Sequence, residues 1–247
     1  MINVKKSEKR FFDARMRVLS QSQDNEGIGR LNEKTLHKIL KFYLEPQEEY
    51  HEVKFLGKIA DIKNESGIFE IQTRAMEKMN SKLKMFLESS SVTLVIPLAA
   101  KKTVSWVDGS DVSKARKSPK SEGIFDALYE LSKISLHFGH ENLRVKLLYL
   151  DLAEYRYLNG WDKTGKRGST RCDRIPNRII SEIDIFDSND ILSLLGPIPD
   201  GEFLAKDFAK ITKKSSRKNY YILRFLQDVG LVFKLCEEKH AFVYKFR

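Results

Sequence analysis

Two acids, Asp61 and Glu70, stand with eight residues between them in the stretch 50–74, YHEVKFLGKIADIKNESGIFEIQTR. Residues 50–55, 58–63 and 68–73 read as three short strands, separated by Leu56-Gly57 and by Asn64-Glu65-Ser66-Gly67. Strand alternation sends Ile68, Glu70 and Gln72 to one face, and Phe69 and Ile71 to the other. A hairpin of this length puts Asp61 beside Glu70 among Ile59, Ala60, Ile62, Phe69 and Ile71. Two buried carboxylates side by side demand a shared proton or a cation. Hard divalent cations favour carboxylate oxygens, and Mg²⁺ usually takes one or two of them with water or phosphate oxygens completing its shell. Mg²⁺ or Mn²⁺ is therefore the expected cofactor.

The flanking elements must hold that pair. Upstream, Asn32 opens a helix with Leu36, Ile39, Leu40, Tyr43 and Leu44 on one stripe, and Pro46 helps to end it. Glu33 and His37 lie one turn apart at the edge of this stripe. Downstream, residues 75–88 form an amphipathic helix through Met76, Met79, Leu83, Phe86 and Leu87, and residues 90–99, SSVTLVIPLA, a buried strand. Strand, helix and buried strand make a βαβ unit with a parallel pair. Residues 102–111 then predict a separate strand and turn, 124–138 one helix, and 143–158 a further strand region. The class is α/β.

At these residues the chain resembles the PD-(D/E)XK nuclease superfamily. Asp61 followed by Glu70-Ile71-Gln72 is similar to its Asp…Glu-x-Lys signature, with Gln72 at the lysine position and no proline before Asp61. Helix, three-strand meander, helix and strand also resemble its restriction-endonuclease-like αβββαβ core over 29–99, with later elements extending to 158. The resemblance implies Asp61 and Glu70 as metal ligands, Glu33 as an assisting acid on the opening helix, and Gln72 as the departure that bears on catalysis. His37 could serve as a base or a phosphate contact. Gln72 cannot supply a lysine's charge, and Lys63, Lys101 and Lys102 are candidates to replace it.

The charge balance points to a polyanionic partner. The 247 residues carry 44 Lys+Arg against 34 Asp+Glu, a formal charge of +10. Cys172 and Cys236 lie far apart with no C-x-x-C spacing, which argues against a disulfide framework or a zinc site. No apolar run reaches membrane-spanning length and the first residues carry no signal-peptide core, so a cytoplasmic chain without a membrane partner is expected. Residues 155–178 read as a long polar loop. It mixes Tyr157 and Trp161 with Lys166, Arg167, Arg171 and Arg174, a composition suited to stacking and phosphate contact.

After residue 186 the pattern changes. Helices are predicted from Ser188, over 202–211 and over 215–229, followed by strands 231–236 and 241–246. Three helices and a terminal hairpin resemble a winged helix. On the third helix Arg217, Tyr220, Arg224 and Gln227 share the face opposite the apolar stripe, where a recognition helix would read a major groove, and Lys218 adds charge near its start. The expected organisation is a nuclease-like domain over 1–186 and a winged helix over 187–247. The expected function is a metal-dependent DNA endonuclease. The alternatives are a catalytically silent nuclease fold that binds or regulates DNA, and a protein-interaction scaffold. A homodimer stays open.

Overall fold

A computed structural model describes residues 2–23, 35–109, 111–158, 160, 170–238 and 241–247. Helices α1 (Ile2–Gln23) and α2 (Thr35–Leu44) precede a meander of β1 (His51–Phe55), β2 (Lys58–Asn64) and β3 (Gly67–Ile71). A 3₁₀ turn over Met76–Met79 leads into α3 (Asn80–Leu87), then β4 (Val92–Asp108) and the two-residue strands β5 (Asp111–Val112) and β6 (Arg116–Lys117). Next come α4 (Ile124–Leu131), a 3₁₀ segment (Ser132–His137), β7 (Leu143–Tyr157) and β8 (Arg171–Ile185). The chain ends with α5 (Ser188–Leu194), β9 (Glu202–Leu204), α6 (Ala205–Thr212), α7 (Ser216–Asp228), β10 (Val232–Glu238) and β11 (Ala241–Phe246). The protein is a mixed α/β structure.

The main sheet runs β1-β2-β3-β4-β7-β8, with β5 and β6 on β4. Its β3–β4 and β4–β7 pairs are parallel and the others antiparallel. Alternation divides its side chains between two apolar layers. Ile68, Leu94, Ile96, Leu98, Val145 and Leu147 face α3, α4 and the C-terminal elements. Ile71, Val95, Ala99, Leu148, Leu150 and Leu152 face α1 and α2, which contribute Phe11, Ala14 and Val18, and Leu36, Ile39, Leu40 and Tyr43. Ile68 and Ile71 thus lie on opposite faces, as their parity requires.

Several expectations are corrected. Residues 102–111 are not a separate strand, because β4 passes through a register shift between Ala99 and Lys101 and continues to Asp108. The bulge lets one strand keep pairing with β7 while its face assignment changes. Residues 171–178 are not loop but the first half of β8, paired to β7 from Arg156↔Arg171 to Asp151↔Arg178. Pro176 sits in it because β8 is an edge strand, and the register shifts beside it. The helix expected over 124–138 breaks after Leu131, where Ile134 leaves helical geometry (φ −127°, ψ 21°). Residues 202–204 pair with β11 instead of opening a helix.

The segment after residue 186 packs on the upstream layer. Phe125 meets Phe208, Phe138 meets Phe225 and Tyr129 meets Tyr221, all in edge-on contacts. Asp126 accepts from Lys214 at 2.6 Å and lies 3.6 Å from Lys218. One apolar cluster runs from Leu94 and Leu128 to Ile222 and Phe246.

The hairpin that sets the spacing of the two acids turns at Gly67. Its φ of +115° suits glycine, and an added Cβ would overlap Ser91 Oγ and lie 2.6 Å from the Ser91 carbonyl oxygen. Ile68 N–H donates to that carbonyl at 2.9 Å, tying the turn to the start of β4. Gly67→Ala is expected to destabilise the fold by about 2 kcal/mol, read as a lowered denaturant midpoint at unchanged m-value.

Candidate active site

Pairing between β2 and β3 covers Asn64↔Gly67, Lys63↔Ile68 and Ile62↔Phe69, and then stops. Asp61 and Glu70 lie at the point where the strands part, and their side chains take over the ladder there. Glu70 Oε1 accepts from the Asp61 N–H at 3.3 Å, and Asp61 Oδ2 accepts from the Ile71 N–H at 2.8 Å. The structure thus brings together the two acids that the sequence singled out. Each is also gripped from a different layer. From α2, His37 Nε2 approaches Asp61 Oδ2 at 3.1 Å and the Ile71 carbonyl oxygen at 3.2 Å. Both neighbours accept, so Nε2 carries the proton. From α3, Lys82 Nζ donates to Glu70 Oε2 at 2.6 Å.

These partners separate the two acids electrostatically. Burial opposes ionisation of Asp61. The His37 hydrogen bond and charge, the Ile71 N–H and the Lys82 charge outweigh it, so its carboxyl is held below the usual range. Glu70 is 2% exposed. Burial, then the Asp61 charge, push it up to about 7 in spite of Lys82. Two carboxylates and the Ile71 carbonyl offer oxygen, the donor a hard divalent cation prefers, but Asp61 Oδ2 and Ile71 O both point at His37 Nε2, whose proton stands between them, so a cation would take their remaining lone pairs. Among the described residues no group of three or more His, Cys, Asp and Glu is ready to hold a metal. Two carboxylates with water would have to suffice; Glu33, the assisting acid that the resemblance implies, lies outside the described residues.

Gln72 does not join the pair. Its amide donates to the Arg74 carbonyl and its N–H to Val95 O at 2.9 Å. None of the three lysines considered as its replacement is at the site. Lys63 lies over the Phe55 ring, Lys101 is exposed, and Lys102 is 3.4 Å from the buried Glu154. Sequence reasoning missed Lys82. The available signal was its place on the border of the α3 stripe, three residues after Met79 and one before Leu83.

Beside His37 opens a cleft of about 990 Å³. His37, Lys38, Lys41, His51, Arg74 and Arg174 line it with Glu48 and Glu52, so cations outnumber acids at its wall. Of the residues expected to bind DNA, Lys166 and Arg167 lie outside the described residues. Arg171 begins β8, and its Nε lies 3.9 Å from Glu154 Oε2, beside the buried cluster that Glu154 forms with Lys102 and Arg156. Lys218, near the start of α7, lies 3.6 Å from Asp126 and over the Tyr129 ring. Arg217, Tyr220 and Arg224 are exposed, with Arg224 paired to Asp228 at 3.0 Å. Gln227 joins Tyr220, Arg224, Lys206, Lys234 and Phe242 around a second groove of about 500 Å³ between α7 and the terminal hairpin.

Among the described residues no helix is long and apolar enough to cross a membrane. No solved structure matches the chain. A protein of Treponema pallidum (strain Nichols), described as an uncharacterized protein, is 31% identical over 126 residues, which are 50% of this chain and 50% of that protein. The aligned region therefore spans about half the length of that curated relative. Residues 34–186 match the family described as Domain of unknown function (DUF8091). The matched region takes in His37, Asp61, Glu70 and Lys82 and ends where the α5–β11 segment begins. Since it covers more than half of the chain, the protein belongs to the DUF8091 family.

Proposed function

We propose that the chain is a metal-dependent DNA endonuclease of the PD-(D/E)XK kind, with residues 187–247 acting as a winged helix that holds DNA. The observation that carries this is the convergence of Asp61 and Glu70 where β2 and β3 part, with Lys82 Nζ 2.6 Å from Glu70 and a basic cleft alongside. Asp61, Glu70 and the Ile71 carbonyl would hold Mg²⁺ or Mn²⁺. When bound, such an ion lowers the pKa of its water and offsets charge on the phosphate. Lys82 supplies, from α3, the cationic charge that Gln72 lacks. His37 keeps Asp61 ionised and oriented. The α7 face with Arg217, Tyr220 and Arg224, and the β9–β11–β10 sheet beside it, support a nucleic-acid-holding role for the C-terminal segment.

A second reading, a silent nuclease fold that binds DNA without cutting it, is favoured by one observation: Gln72 turns its amide to the Arg74 carbonyl, away from both acids. The test is nicking of supercoiled DNA with Mg²⁺ or Mn²⁺ against an EDTA control, run beside a binding titration at several salt concentrations. The nuclease reading expects metal-dependent nicks and a log K that falls linearly with log[salt]. Arg217→Ala and Arg224→Ala should each weaken binding by ~1–3 kcal/mol. Salt-dependent binding without nicks would leave the silent fold standing. Absence of both would leave a protein-interaction scaffold.

A further inference from the structure

The lining of the basic cleft holds an ion pair with unequal members. Lys41, on α2 one turn after His37, has a side chain only 9% exposed, and its Nζ donates at 2.7 Å to Glu52 Oε1. Glu52 has a side chain 70% exposed and lies on β1 with φ +53°, in the left-handed region that residues with a Cβ rarely adopt. The strain coincides with a gap in the sheet: the β1–β2 register runs His51↔Ile62 and then Val53↔Ala60, leaving Glu52 beside Asp61 without a paired partner. An exposed carboxylate is thus bent out of the strand to reach a nearly buried ammonium next to the candidate reacting centre. Strained backbone at such a place is characteristic of functional sites.

We propose that Lys41 is a phosphate-binding subsite of the cleft and that the Glu52 carboxylate occupies it as an internal competitor, displaced when a phosphodiester backbone enters. The inference rests on the nucleic-acid reading of this cleft but not on cleavage. Carboxylate and phosphate present similar oxygens to an ammonium donor. Displacing Glu52 frees its side chain into water, where its charge is well solvated, and lets its backbone leave the left-handed region. Leaving Lys41 without any anion would strand a nearly buried charge, so the fold supplies one until substrate does. Lys41 lowers the Glu52 carboxyl below the usual range, in keeping with a tight pair.

The test is the affinity of the full chain for a fluorescein-labelled DNA duplex in EDTA, read by anisotropy. Glu52→Gln should tighten binding about threefold to tenfold and steepen the log K against log[salt] slope by about one unit. Glu48→Gln, which removes a charge from the same wall where Glu48 pairs with Arg17, should do less. Lys41→Met fills the same space without charge and should weaken binding. In the Lys41→Met background Glu52→Gln should do no more than Glu48→Gln does, since the competitor then has nothing to block and only its general charge is removed. Unchanged or weaker binding by Glu52→Gln, or equal tightening with and without Lys41, would overturn the subsite. Its failure is separate from that of the nuclease reading: tightening without metal-dependent nicking supports the subsite and removes only the enzyme.

Discussion

Lys82→Met is expected to lower the rate of metal-dependent nicking by ~10²–10³-fold, the usual cost of removing one preorganised charge from a reacting centre. Gln72→Ala is expected to cost far less. The reason is positional: Lys82 Nζ lies 2.6 Å from Glu70 Oε2, whereas the Gln72 amide is held by the Arg74 carbonyl. Asp61→Asn should remove nicking along with the rise in melting temperature that Mg²⁺ produces, because it deletes a ligand, and ligand-linked stabilisation follows RT ln(1 + [L]/Kd). Lys82→Met should keep that rise, since Asp61, Glu70 and the Ile71 carbonyl are intact. Initial nicking rates and thermal melts with and without Mg²⁺ check both. A Lys82→Met protein as fast as the wild type would remove lysine from the mechanism and leave the resemblance without its cation.

The contrast between Gln72 and Lys82 marks what the sequence could carry. Asp61 and Glu70 were legible because strand parity and a short hairpin fix their relation within ten residues. Lys82 reaches Glu70 from a helix on the far side of the turn. A lysine bordering an apolar stripe has the same signature whether its ammonium meets water or a buried acid. The layers were legible in Leu36, Ile39 and Leu40 on α2, and in the alternating run of β4. The start of β8 was not, since Arg171, Arg174, Asn177 and Arg178 carry the composition of a loop. An edge strand needs apolar residues on one face at most, and part of its inner face here is charge packed on Glu154. The docking of α7 on α4 was equally hidden: Ile222, Phe225 and Leu226 declare a buried stripe without declaring what buries it.

In metal-free buffer the stability of the wild type should fall relative to Glu70→Gln by about 3 kcal/mol between pH 4.5 and about pH 8. Burial and the Asp61 charge raise Glu70 from 4.5 to about 7. Below the lower value both the folded and unfolded chains hold the proton, and Glu70 contributes no pH dependence. Between the two values the unfolded chain has released a proton that the folded chain retains, so unfolding is favoured increasingly as pH rises. Above about 7 both forms are ionised and the full cost is carried. Glu70 is 3% exposed at its side chain, so solvent screening reduces this little. Asp61 behaves oppositely: its depressed carboxyl stabilises the fold above its ordinary 3.8 and loses that effect only as pH falls through the lower folded value, beneath this window. Asp173, raised to about 6, has the same sign as Glu70 but is present in both proteins and cancels in the difference. Glu70→Gln also removes the ion pair with Lys82, which adds an offset and little slope. Denaturant titrations in EDTA across the range would measure the difference, and parallel pH curves would mean that Glu70 ionises as freely in the fold as outside it. Saturating Mg²⁺ should flatten the wild-type curve, because a cation between the two acids favours the ionised form that burial and Asp61 oppose.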